Sequence, residues 1–96
     1  MKQYSSPEQT AKLIELGFAK PKMAVPALIW VDGEPTFEPQ YTIGELIEML
    51  GGVSELEITR YGSGWGVYDE LRAFTSEELI DALYDAIIKL KEEGVI

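Results

Sequence analysis

Cysteine and histidine are both missing from this chain. Without them, thiolate nucleophiles, disulfides, the usual zinc sites and imidazole acid–base catalysis are excluded, and with them most mechanisms open to a small enzyme. A cysteine-free chain suits reducing and oxidising compartments equally. Basic residues are scarce: eight Lys and Arg stand against 17 Asp and Glu, for a net charge of −9. Long apolar runs are missing too. The longest, Met23 to Val31, is interrupted by Pro26 and is too short to cross a bilayer, and the polar start from Met1 to Gln9 has no signal-peptide h-region. Together these absences lead us to expect a cytoplasmic protein with no membrane attachment.

The residues that are present argue for a folded chain. With 96 residues, 46% of them hydrophobic and 26% charged, the composition is that of an ordinary globular protein, and the length suits a single domain, 1–96. Charge is unevenly distributed: residues 1–22 carry a net +2, so the remainder carries −11. Four lysines ahead of an acidic body are a poor footprint for phosphate contacts, so no nucleic-acid partner is expected. A mildly basic helix lying against an acidic body accounts for the asymmetry.

Three segments have a capping residue followed three positions later by Glu or Gln, the capping-box signature. In the first, Ser6 caps, Pro7 takes the first helical position, Gln9 closes the box and Gly17 ends the helix, which runs from about Pro7 to Leu16. Its apolar stripe is Ala11, Ile14 and Phe18, with Leu13 beside them. In the second, Thr42 and Glu45 form the box, and Tyr41 is placed to staple against Leu46. Ile43, Leu46, Ile47 and Leu50 make the apolar face, which ends at Gly51-Gly52. In the third, Thr75 caps with Glu78, Phe74 staples to Leu79, and a helix of about 18 residues runs to Gly94. On that reading, Thr75→Ala costs roughly 0.5–2 kcal/mol.

Strands fill the intervals. Ala27 to Val31 is a continuous apolar run suited to a buried strand, Asp32-Gly33 signals a hairpin turn, and Pro35 and Pro39 confine the return limb Glu34 to Glu38 to an edge position or an extended loop. Leu56 and Ile58 alternate with Glu55, Glu57 and Thr59, and Gly62-Ser63-Gly64 turns the chain into Trp65, Val67 and Tyr68. The order α-β-(β)-α-β-β-α points to an α+β fold, with three helices mainly on one face of an antiparallel sheet of three or four strands. The opening Ser5-Ser6-Pro7-Glu8 to Gly17-Phe18, the aromatic hairpin about Trp65 and the closing Ser76-Glu77-Glu78 to Gly94 resemble small uncharacterised proteins of phages and mobile elements in gut Bacteroidetes-type bacteria. That resemblance implies an accessory or interaction role, and it carries no activity or site residue.

Two clusters could carry function. Tyr61-Gly62-Ser63-Gly64-Trp65-Gly66 combines three glycines with two aromatics. A phosphate-cradling loop would need a helix directly after it, whereas a strand follows here, so the stretch reads as a hairpin turn. Its aromatics, Tyr61, Trp65 and Tyr68, are the expected contact surface. Trp65 and Tyr68 are an odd number of residues apart, so a regular strand sends them to opposite faces. Trp30 is expected in the core. Glu78, Asp81 and Asp85 lie at helical spacing and form the expected acidic partner face, since like charges at i and i+4 are slightly unfavourable and call for a basic neighbour.

No catalytic, cofactor or metal residue is expected. The leading function is a non-catalytic interaction or accessory domain that contacts another protein or a second copy of itself. An acidic mimic of nucleic acid that inhibits a DNA-binding protein is the alternative, and a carboxylate-based enzyme comes third.

Overall fold

The computed structural model describes residues 2–22, 24–53 and 55–96. The fold is α+β, with elements in the order α1 (Pro7–Glu15), β1 (Ala24–Val31), β2 (Glu34–Pro39), α2 (Ile43–Met49), β3 (Glu57–Tyr61), β4 (Gly64–Tyr68), β5 (Ala73–Ser76) and α3 (Leu79–Glu92). The strands form two antiparallel groups, the hairpin β1-β2 and the three-stranded sheet β3-β4-β5. The first hairpin therefore stands apart from the sheet instead of supplying its fourth strand, and its nearest helical neighbour is α1, against β2. The Cα radius of gyration, 14.4 Å, exceeds the ~12.5 Å of a compact chain of this length, and the molecule measures 50 × 32 × 16 Å. Among the described residues no helix is long and apolar enough to cross a membrane.

Local chemistry explains the helix starts. Ser6 Oγ accepts from Gln9 N while Gln9 Oε1 accepts from Ser6 N, and Thr42 and Glu45 form the same reciprocal pair, so both boxes satisfy backbone donors that a helix end leaves orphaned. Tyr41 and Leu46, the staple of α2, are both buried. The apolar stripe of α1 is centred on Leu13, with Ile14 and Phe18 against the core. Ala11 is exposed, and Thr10 is buried in its stead. Thr10 Oγ1 lies 2.6 Å from the buried Ser5 Oγ, which in turn accepts from Tyr41 N, so the buried hydroxyls are paired.

The third helix departs from expectation. Its N-cap is Glu78, which makes no side-chain cap bond, and the helix has 14 residues, beginning at Leu79. Thr75 does not cap it. Residues Ala73–Ser76 are extended instead and pair with β4 in the register Trp65↔Ser76, Gly66↔Thr75, Val67↔Phe74 and Tyr68↔Ala73. A backbone committed to that ladder cannot turn into a cap at Thr75, and the ladder contributes a strand, β5, where the capping pattern predicts a helix start.

Strand parity determines which side chains meet α3. The register Ile58↔Val67↔Phe74 and Arg60↔Trp65↔Ser76 puts these residues on one face. Val67 is 1% exposed, and Ile58, Trp65 and Phe74 pack against the core cluster. Helix α3 contributes Leu79, Ile80, Ala82, Leu83, Ala86, Ile87 and Leu90 to that cluster and touches both the β4–β5 strands and α2, whose Leu46 and Leu50 join the core with Leu13 of α1. Half of this helix is buried, so it supports the whole fold.

Candidate contact surface

The odd spacing of Trp65 and Tyr68 resolves as geometry requires. Trp65 lies on the core face, half-buried at the margin of the hydrophobic cluster, and Tyr68 lies on the opposite, outer face. The outer face also carries Glu57, Thr59, Gly64, Gly66, Ala73 and Thr75, mostly small or polar residues. The ring of Tyr68 crosses directly above Gly66. A Cβ built there would stand 2.6 Å from Tyr68 Cζ, so only glycine leaves room for the ring, and the ring in turn buries the glycine backbone. The structure thus separates the expected aromatic cluster. Tyr61 pairs with Gly64 through its backbone, and its side chain, like that of Trp30, lies outside the described residues.

The stretch from Tyr61 to Gly66 is a hairpin turn, as expected. Gly62 has φ +55° and Ser63 is not left-handed, the pattern of a two-residue type II′ turn. An open hollow of about 380 Å³ lies between this turn and the end of β5, bordered by Gly62, Ser63, Trp65, Ser76 and Glu77. The Arg60 guanidinium sits 5.6 Å from the centre of the Trp65 ring, within cation–π range.

The acidic stripe of α3 is met from within the chain. Lys2 donates its backbone N–H to Glu78 Oε2 (2.7 Å) and its ammonium to Asp81 Oδ1 (3.0 Å), and Gln9 Nε2 reaches the same Asp81 oxygen at 2.8 Å. Burial alone would raise the Asp81 pKa. The hydrogen bonds from Gln9 and Lys2, with the Lys2 charge, outweigh burial and hold it below the ordinary range. Asp85 has moved the other way, raised by desolvation and then by the like charge of Asp81. Lys2 and Gln9 therefore answer Glu78 and Asp81, while Asp85 is exposed. Among the described residues no three acidic side chains converge as metal ligands would.

A third feature escaped the sequence reading. Between β4 and β5, Asp69 Oδ1 accepts from the backbone N–H groups of Leu71 (2.9 Å) and Arg72 (2.6 Å), and Asp69 N donates to Arg72 O (3.1 Å). The Arg72 guanidinium then bonds Asp69 Oδ2 at 2.9 Å and Glu93 Oε2 at 2.7 Å, tying the turn to the last turn of α3. The backbone hydrogen bond from Leu71, joined by those from Arg72 and its charge, lowers the Asp69 pKa against an opposing desolvation. At the tip Leu71 is 84% exposed. An Asp opening a four-residue turn was the available signal; nothing local marked the leucine as exposed.

No family model matches the chain, and no curated protein or solved structure is significantly similar to it.

Proposed function

We propose that the chain is a non-catalytic interaction domain of the cytoplasm, an accessory protein of the phage or mobile-element type, acting by contact with another protein. The observation that carries this reading is the division of the sheet: α3 packs against one face of β4 and β5, while the outer face presents Tyr68 over Gly66, flanked by the exposed Ala73 and Thr75. Three strands about 4.8 Å apart and about 17 Å long make a patch of roughly 240 Å², well short of the ~800 Å² per partner of a stable interface. Two copies would also bring together net charges of −9 each. Size and charge thus favour a different, transient protein partner over a homodimer, and they disfavour nucleic acid and anionic membranes.

A photo-crosslinking residue at Thr75, with one at the exposed Glu15 as control, tests the reading in native host lysate irradiated both at low salt and at about 0.5 M salt. Expected is a discrete adduct from position 75 that is absent at 15 and persists at about 0.5 M salt, because apolar contacts are not screened. Absence of any adduct specific to 75 would defeat the proposal. Adducts from both positions that vanish at high salt would favour the acidic mimic.

A further inference from the structure

Leu71 is the most exposed large hydrophobic among the described residues, yet it stands on a turn held by two backbone hydrogen bonds to Asp69 Oδ1 and two ion pairs of Arg72. It is not isolated. Half-buried Val53 and the exposed Val95, 44% accessible, line with it and Gly52 a depression of about 200 Å³ beside the turn. Asp69 and Glu70 border the patch with one cation, Arg72, which is already shared between Asp69 and Glu93. We infer that this turn is a preformed docking knob for a basic protein segment: Leu71, Val53 and Val95 take an apolar side chain of the partner, and the acidic rim takes the flanking lysines or arginines. The inference rests on the interaction-domain reading, and it adds a contact at the β4–β5 turn beside the one on the outer sheet face.

Two physical arguments support that occupant. An exposed leucine on a disordered loop would lose conformational freedom on binding, whereas Asp69 and Arg72 have already fixed this backbone, so little ordering remains to offset the contact. Two rim carboxylates against one engaged guanidinium, on a chain of net charge −9, repel a second acidic copy and attract a cationic segment, which gives both sign and specificity.

The test titrates the ¹⁵N-labelled full chain with a synthetic amphipathic leucine–lysine helix peptide. Saturable shifts should centre on the amides of Gly52, Val53, Glu70, Leu71, Arg72 and Val95. Leu71→Ser, which should fold normally because the side chain is already in water, should weaken binding about tenfold, as expected for a central anchor. Glu70→Lys should weaken it several-fold at low salt and less at high salt. Shifts confined to Glu78–Asp85, undiminished affinity of Leu71→Ser, or no saturable binding would each overturn the docking knob. Shifts at the same amides on raising protein concentration without peptide would make a second copy the occupant and overturn the basic-partner assignment. Shifts centred on Thr59, Tyr68 and Thr75 would also overturn it, while leaving the outer-face reading intact.

Discussion

Replacing Gly66 by alanine is expected to destabilise the protein, although alanine is intrinsically the better residue there. Gly66 has no positive φ, so its backbone already suits a side chain, and the loss of unfolded-state freedom alone should stabilise by about 0.5–1 kcal/mol. The opposing cost comes from Tyr68, whose ring occupies the space the new Cβ needs and must swing away. A tyrosine buries about 150–250 Å² when fully covered. If roughly 60–80 Å² of that returns to water, the loss is about 1.5–2 kcal/mol at ~25 cal/mol per Å². The ring wins, and Gly66→Ala should lower stability by about 1 kcal/mol, or roughly 4–8 °C in Tm for a chain of this size. In a Tyr68→Ala background the obstruction is gone, and the same substitution should stabilise by about 0.5–1 kcal/mol. Urea unfolding of the four proteins, followed by circular dichroism, measures both signs. If Gly66→Ala stabilises the wild type, or if its effect is the same in both backgrounds, the packing of Tyr68 on Gly66 does not hold in solution.

Ser6→Ala and Thr42→Ala should each cost about 0.5–2 kcal/mol in urea unfolding, because each removes one half of a reciprocal cap. Thr75→Ala, exposed on β5, should stay within about 0.5 kcal/mol of the wild type. Asp85→Asn should stabilise by a few tenths of a kcal/mol at pH 7 through relief of its repulsion with Asp81. Since the Asp85 pKa is raised on folding, its ionisation penalises the folded state as pH climbs through the range above 3.8, and the gain from asparagine should vanish below that range. Asp81 has the opposite sign: its pKa is lowered, so its contribution is present above 3.8 and is lost as pH falls through the folded value. Lys2→Ala should move the Asp81 titration, read by NMR, back toward the ordinary position.

What the sequence made legible was local. A cap and its backbone donor are three residues apart, so Ser6 with Gln9 and Thr42 with Glu45 could be found without any tertiary information. The turns at Asp32-Gly33, with φ of 52° and 79°, and at Gly62 likewise depend on adjacent residues alone. The parity of Trp65 and Tyr68 required only that β4 be regular. Thr75 failed because Thr-x-x-Glu also occurs in an extended segment, and the competing ladder with β4 is formed by residues up to ten positions upstream. The same four residues carry a period-2 pattern, Phe74 and Ser76 inward with Ala73 and Thr75 outward, that a staple pattern matches equally well. Lys2 meets Glu78 and Asp81 across separations of 76 and 79 residues, which no local rule reaches. For Leu71, hydrophobicity pointed inward, and only the fold reveals that the turn holds it out.

The central position of α3 also bears on how the chain reaches this structure. The β3–β5 meander and α2 each present an apolar side to the same helix, which follows both in chain order, and Leu13 of α1 joins the same core. Until residues 79–92 dock, Leu13, Leu46 and Leu50 have no sheet-side support, and Val67 and Phe74 face water. Folding should therefore be a single late event in which α3 joins two unfinished halves. Loop closure over long separations must precede any reward from burial, which slows the rate relative to a simple helical bundle. Helix-breaking changes at the middle of α3 should abolish the cooperative transition and leave Leu46 and Leu50 open to aggregation.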